Sequence, residues 1–132
     1  MRNRQFTLEE ADALLPWLEE QFTRMMPLRD ELATRQEQLI DLLRRRRSNG
    51  HSSNEDDIVE TQRAVDRLTK ELQDQLQEVS RRGILVRDLG RGLVDFPSIR
   101  DGRDVYLCWL RGEEQIGYWH DTSTGFAGRQ PI

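Results

Sequence analysis

The hydrophobic period of this chain changes at Gly83. Before that point apolar residues recur every three to four positions; after it they alternate, or run together over stretches the length of a strand. Such a chain cannot be a uniform helical bundle or a uniform β-sandwich, because one part must bury a stripe and the other a pleated face. The expected fold is therefore α+β. A short N-terminal helix and a long antiparallel, coiled-coil-like helical hairpin occupy residues 1–82. A small antiparallel meander of three to four strands with a C-terminal tail occupies residues 83–132, and the two parts form one structural unit.

The helical part carries its own punctuation. Thr7 and Glu10 fit a capping box, in which a hydroxyl and a carboxylate satisfy each other's backbone amides, and predict a helix from Leu8 to about Leu15. Pro16 interrupts it and suits the first turn of the next helix. Leu15, Leu18, Phe22, Met25, Leu32, Leu39 and Leu43 then form a seam at heptad-like spacing, with Arg29 and Gln36 as polar faults. Pro27 should bend this helix unless the helix restarts there. Arg44 to Arg47 close it, and Ser48 to Ser53 read as a loop. Asn54 reads as the cap of a further helix with Glu55, Asp56 and Asp57 in its first turn. That helix has a seam of Ile58, Thr61, Val65, Leu68, Leu72, Gln75 and Val79, and Gly83 is its left-handed cap.

Beyond Gly83, Ile84 to Val86 opens a strand and Asp88 to Gly92 a tight connection. Leu93 to Phe96 forms a second strand that Pro97 should stop. Asp101-Gly102 signals a turn. Val105 to Leu110 is apolar on both faces and therefore expected at the centre of the sheet. Arg111 to Glu114 turns into Gln115 to His120. The N-terminal helix and the hairpin base are expected to cover one sheet face, and either the tail or a second copy of the chain the other.

Composition removes several function classes. Twenty basic residues against 24 acidic ones give a net charge of −4, which argues against nucleic acid as a partner. The single cysteine, Cys108, excludes an intramolecular disulfide and a multi-cysteine metal knuckle. No apolar run approaches the roughly 20 residues that span a bilayer, and the N-terminal residues lack the apolar segment of a secretory signal, so a cytoplasmic location away from membranes is expected. No P-loop, G-x-S-x-G, H-E-x-x-H or dinucleotide fingerprint is present.

A set of strings nevertheless forms a pattern: Phe6-Thr7-Leu8-Glu9-Glu10-Ala11 with Leu14-Leu15-Pro16, Gly92-Leu93-Val94-Asp95-Phe96-Pro97, Leu107-Cys108-Trp109, Gly117-Tyr118-Trp119-His120-Asp121, and Gly125 to Pro131. Together they resemble the bacterial family known as domain of unknown function 2203, nearly end to end. The resemblance implies a small cytoplasmic protein of bacterial type and carries over no catalytic residue.

Chemistry can be sought only in the residues themselves. Asp95 lies among apolar strand neighbours, where a lone carboxylate is costly. It needs Arg103, Arg111, Arg129, His120 or backbone amides as a partner, and a structural ion pair is the plain expectation. His120 is the best ligand or base candidate, but Asp121 beside it points to the opposite face of a strand and helps only if the strand has ended. Asp95, Arg103, His120, Asp121 and Arg129 are the candidate ligand-binding residues, with Asp95, His120 and Asp121 as a candidate set for a divalent metal. Gly125 to Arg129 could hold an anion, although a packing turn is the ordinary reading. Cys108 reads as a small hydrophobe. Trp109, Trp119, Tyr106 and Tyr118 read as cross-strand packing, or otherwise as an aromatic floor for a planar ligand or a subunit interface. Arg44 to Arg47 reads as a helix end compensated by Glu55 to Asp57, with docking on RNA or an acidic partner as the weaker alternative. The leading expectation is a non-enzymatic interaction module that self-associates as a homodimer or binds another protein through the hairpin. The alternative is a small-molecule or metal-binding protein, which could be an enzyme.

Overall fold

The computed structural model describes residues 4–49 and 55–132. Helix α1 spans Leu8–Ala13, α2 Leu15–Asn49 and α3 Glu55–Arg81. They are followed by strands β1 (Leu85–Asp88), β2 (Leu93–Arg100), β3 (Arg103–Leu110) and β4 (Tyr118–Asp121), a 3-10 turn at Phe126–Gly128, and β5 (Gln130–Pro131). The fold is α+β, as the change of period requires. The chain forms two compact units, one running to Thr23 and resuming from Leu76 to Ile132, the other Arg24–Gln75.

The capping box forms as read. Thr7 Oγ1 accepts from the Glu10 amide at 3.1 Å, and the Glu10 carboxylate accepts from the Thr7 amide at 2.9 Å. Helix α1 ends one turn later, and Pro16 sits in the first turn of α2, where its missing N–H costs no helical hydrogen bond. No restart occurs at Pro27; α2 continues through it. The helix also continues through Ser48 and Asn49, where a loop was expected; Gly50 to Ser53 and the Asn54 cap lie outside the described residues.

In the second unit α2 and α3 form the hairpin, with Met25, Ile58, Ala64, Leu68 and Leu72 buried. Two members of the arginine run are compensated in place: Arg45 pairs with Asp41 at 2.8 Å, and Arg46 with Glu55 at 2.9 Å. Both pairs are exposed and contribute little to stability.

In the first unit the five strands lie in chain order, each antiparallel to the next, with β3 in the centre. The meander reaches one strand further than expected because part of the tail, Gln130–Pro131, pairs with β4. Pro97 does not stop β2, which runs on to Arg100. The reason is the side to which Pro97 faces. Its carbonyl accepts from the Phe6 amide at 2.7 Å, so its nitrogen also points away from β3, and the β2–β3 ladder loses no bond. The β2–β3 turn has only Asp101 and Gly102 between the paired Arg100 and Arg103, with φ of +53° and +77°. Two positive φ angles in a two-residue loop define the type I′ turn, which matches the strand twist and suits Asp-Gly.

Register assigns side chains to the two faces. Val94, Phe96, Leu107, Trp109 and Trp119 share one face, and the helices cover it. Phe22 of α2 meets Trp109 with ring centroids 6.3 Å apart, and Phe6 meets Phe96 edge-to-face at 5.2 Å. The Ile116 amide donates to Asp12 of α1 at 2.8 Å, and Arg111 pairs with Glu19 of α2 at 2.7 Å. The four large rings are therefore divided, with Trp109 and Trp119 under the helices and Tyr106 and Tyr118 on the other face.

Phe96→Ala empties a fully buried ring site and is expected to cost about 3–5 kcal/mol, read from chemical denaturation. Thr7→Ala removes the cap and is expected to lower Tm by about a few degrees. The backbone and side-chain hydrogen bonds from Thr7 hold the Glu10 carboxyl below its ordinary 4.5. Its contribution to stability is thus present above 4.5 and is lost as pH falls through the lower folded-state value. Carbon-detected NMR titration should find the Glu10 midpoint moved only part of the way back up in the Thr7→Ala protein, because the residue 7 amide, the larger cause, remains.

Candidate functional site

The second sheet face carries the polar chemistry. Arg87, Asp95, Cys108, Tyr118, Tyr106 and His120 project there from β1 to β4, because Asp95 pairs with Leu85 and Cys108, Cys108 with Tyr118, and Tyr106 with His120. The strand period brings Asp95, Cys108, Tyr118, Tyr106 and His120 to one side, and the Arg87 contact with Asp95 places Arg87 there too.

Asp95 and His120 meet at the centre. His120 Nε2 is 2.9 Å from Asp95 Oδ1, and both side chains are only 3% exposed. The other ring nitrogen, Nδ1, lies 2.8 Å from the Asp121 carbonyl. A carbonyl can only accept, so Nδ1 carries a proton and donates it. Arg87 Nε donates to the remaining carboxylate oxygen, Oδ2, at 2.9 Å. The partner of Asp95 is therefore Arg87 with His120, and none of Arg103, Arg111 and Arg129. Burial opposes the Arg87 charge, but the Asp95 carboxylate and the neighbouring Tyr106 more than offset it, holding this guanidinium above its ordinary value.

Cys108 completes the group. Its Sγ, a carboxylate oxygen of Asp95 and a ring nitrogen of His120 all lie within 4.8 Å of one another, and all three residues are buried. Burial first, and then the Asp95 charge, push the thiol up to about 11, while Arg129 opposes the shift. A nucleophilic role is disfavoured on that ground, and both nitrogens of His120 are already engaged.

The other candidates take different places. The Asp121 side chain turns to Arg103 at 3.7 Å, and only its backbone carbonyl reaches His120. Arg103 is 65% exposed and has no part in the cluster. Arg129 is held between the Tyr118 and Phe126 rings, 4.0 and 4.7 Å from their centroids. It pairs with Glu113 at 2.7 Å and donates to the Cys108 carbonyl at 3.3 Å. The Gly125 to Arg129 segment therefore spends its cation inside the protein and fastens the tail over this face. Burial works against the Arg129 charge, and Glu113 and Cys108 outweigh it. The Nε of Arg129 is buried without a hydrogen-bond partner.

Sequence reasoning set aside Cys108 and passed over Arg87. The signal for Cys108 was strand parity: with Asp95 opposite Cys108, and Tyr106 opposite His120, all three share a face. Arg87 required the register of β1, which contains an irregularity between Val86 and Asp88 and cannot be read from spacing.

A cavity of about 350 Å³ opens over the cluster, and Thr122, Thr124, Gly125 and Phe126 also line it. The site is thus a buried Asp–His–Cys group with an arginine on its rim, on the open face of a helix-backed antiparallel sheet. The chain belongs to the family of uncharacterised conserved proteins DUF2203, whose model matches residues 4–132. No curated protein and no solved structure matches it. No helix of the described residues is long and apolar enough to cross a membrane.

Glu113→Ala would leave the Arg129 cation, only 11% exposed, without its counter-ion. A cost of about 3–5 kcal/mol is expected, as for breaking a buried pair. Hydrogen exchange should accelerate first in the segment from Gly125 to Pro131.

Proposed function

We propose that this protein binds a divalent transition metal of the zinc class through Asp95, Cys108 and His120. The observation that carries the reading is the convergence of three different ligand types from β2, β3 and β4 within 4.8 Å, all of them buried. A carboxylate, a thiolate and an imidazole are a donor set suited to zinc, and three protein ligands leave one position open. Bonds of about 2.0–2.3 Å separate ligand atoms by roughly 3.3–3.7 Å, so modest side-chain movement suffices. His120 already has the support that metal-bound histidines use: Nδ1 donates to a backbone carbonyl and Nε2 faces the other ligands.

A purely structural ion pair would account for Arg87, Asp95 and His120. It gives no reason for the thiol to join them. Relative to the set expected from sequence, Cys108 takes the place of the Asp121 side chain.

The self-associating module stands second. It rests on the two large apolar side chains that the Arg24–Gln75 unit exposes, Ile40 and Val59, and isolated apolar side chains are ordinary surface. Native mass spectrometry reads both: a dimer would favour the module, and one bound metal ion per chain the site.

The decisive test is cobalt(II) substitution. Wild-type protein is expected to take up one equivalent with a thiolate-to-metal charge-transfer band. Cys108→Ser should abolish the band. His120→Ala should weaken affinity by more than the roughly 10–100-fold that loss of an outer partner costs. Asp121→Ala should leave uptake nearly unchanged. Absence of uptake by the folded wild type, or an unaltered band in Cys108→Ser, would overturn the reading.

A further inference from the structure

The cavity over the cluster has a definite charge and shape. Apart from Asp95, Cys108 and His120, its only ionisable lining residue is Arg87. A divalent metal held by the Asp95 carboxylate and the Cys108 thiolate would be neutralised by them. The Arg87 guanidinium, which shares the Asp95 carboxylate with the metal, then leaves the cavity with one net positive charge. Arg87 reaches Asp95 through Nε and has Tyr106 as a second partner, and its side chain is 43% exposed. Part of the guanidinium therefore stays accessible to a ligand. Leu93 and Phe126 supply the large apolar side chains of the lining. At about 350 Å³ the space lies at the small end of ligand pockets.

We infer that this cavity takes a small carboxylate, with one oxygen at the open metal position, the other on the Arg87 guanidinium, and an apolar portion against Leu93 and Phe126. The inference rests on the metal reading and adds the class of ligand. A carboxylate monoanion balances the single positive charge, and its two oxygens match the planar fork of an arginine. A phosphate fits less well. It brings more negative charge, and of the lining residues only Arg87 is a cation that could answer it. An uncharged ligand would leave the net positive charge of the loaded cavity unbalanced.

The test uses the cobalt-loaded full-length protein and three probes: benzoate, acetate and inorganic phosphate. Benzoate is expected to shift the cobalt d–d bands saturably and to bind about tenfold more tightly than acetate, with phosphate weaker than benzoate. Arg87→Gln should lose at least tenfold in benzoate affinity while the thiolate band persists. Because Arg87 also holds Asp95, a second variant guards the test: Phe126→Ala should erase the preference for benzoate over acetate and leave acetate binding unchanged. Cobalt uptake with no spectral response to benzoate would overturn the carboxylate inference and leave the metal reading standing. So would benzoate binding that neither variant alters, or tighter binding of phosphate. Failure of cobalt uptake itself would overturn both.

Discussion

A carboxylate placed in the middle of a sheet has to be answered by donors, since burying it alone costs more than a domain of this size can spare. Asp95 receives two answers, Arg87 on one oxygen and His120 on the other. Most of the open face follows from that. His120 must turn inward, so its second nitrogen needs an acceptor, and the next residue's carbonyl provides it. The polar centre in turn must be shielded, and the segment after β4 folds back over it with Phe126 at its edge.

The two sheet faces thus have different economies. The helix side is a dry core in which Phe22, Phe96 and Trp109 interlock, and its stability comes from apolar burial. The opposite side is held by charge: Arg129 clasped by Glu113 and stacked between two rings, and Arg87 clasped by Asp95.

The α+β architecture was legible in the sequence because it is written in periodicity and punctuation: the Thr7–Glu10 box, Pro16 at a helix start, Gly83 after the last helix, Asp101-Gly102 in the turn. Misreadings arose where tertiary partners decide. Pro97 stays within β2 because Phe6, from the far end of the chain, meets its carbonyl. Of the site, Asp95 and His120 were visible as residues needing partners. Arg103 and Asp121 were named for their charge, yet they pair with each other away from the cluster. Cys108 was dismissed because its sequence neighbours are apolar, whereas its cross-strand neighbours are not. A thiol's surroundings on a central strand are set by register, which composition does not report.

The two-residue turn at Asp101-Gly102 has a consequence for how this chain can vary. It fixes Arg100 opposite Arg103 and, through an unbroken ladder, Asp95 opposite Cys108. Side chains alternate with a period of two, so a slip of one residue at the turn would send the sulfur to the helix side and bring Trp109 to the polar side. The cluster therefore has an address as well as a composition, and the turn encodes it. Substitutions on the ladder can be absorbed one at a time. A single insertion or deletion in a loop that touches none of the three ligand candidates would scramble the whole face.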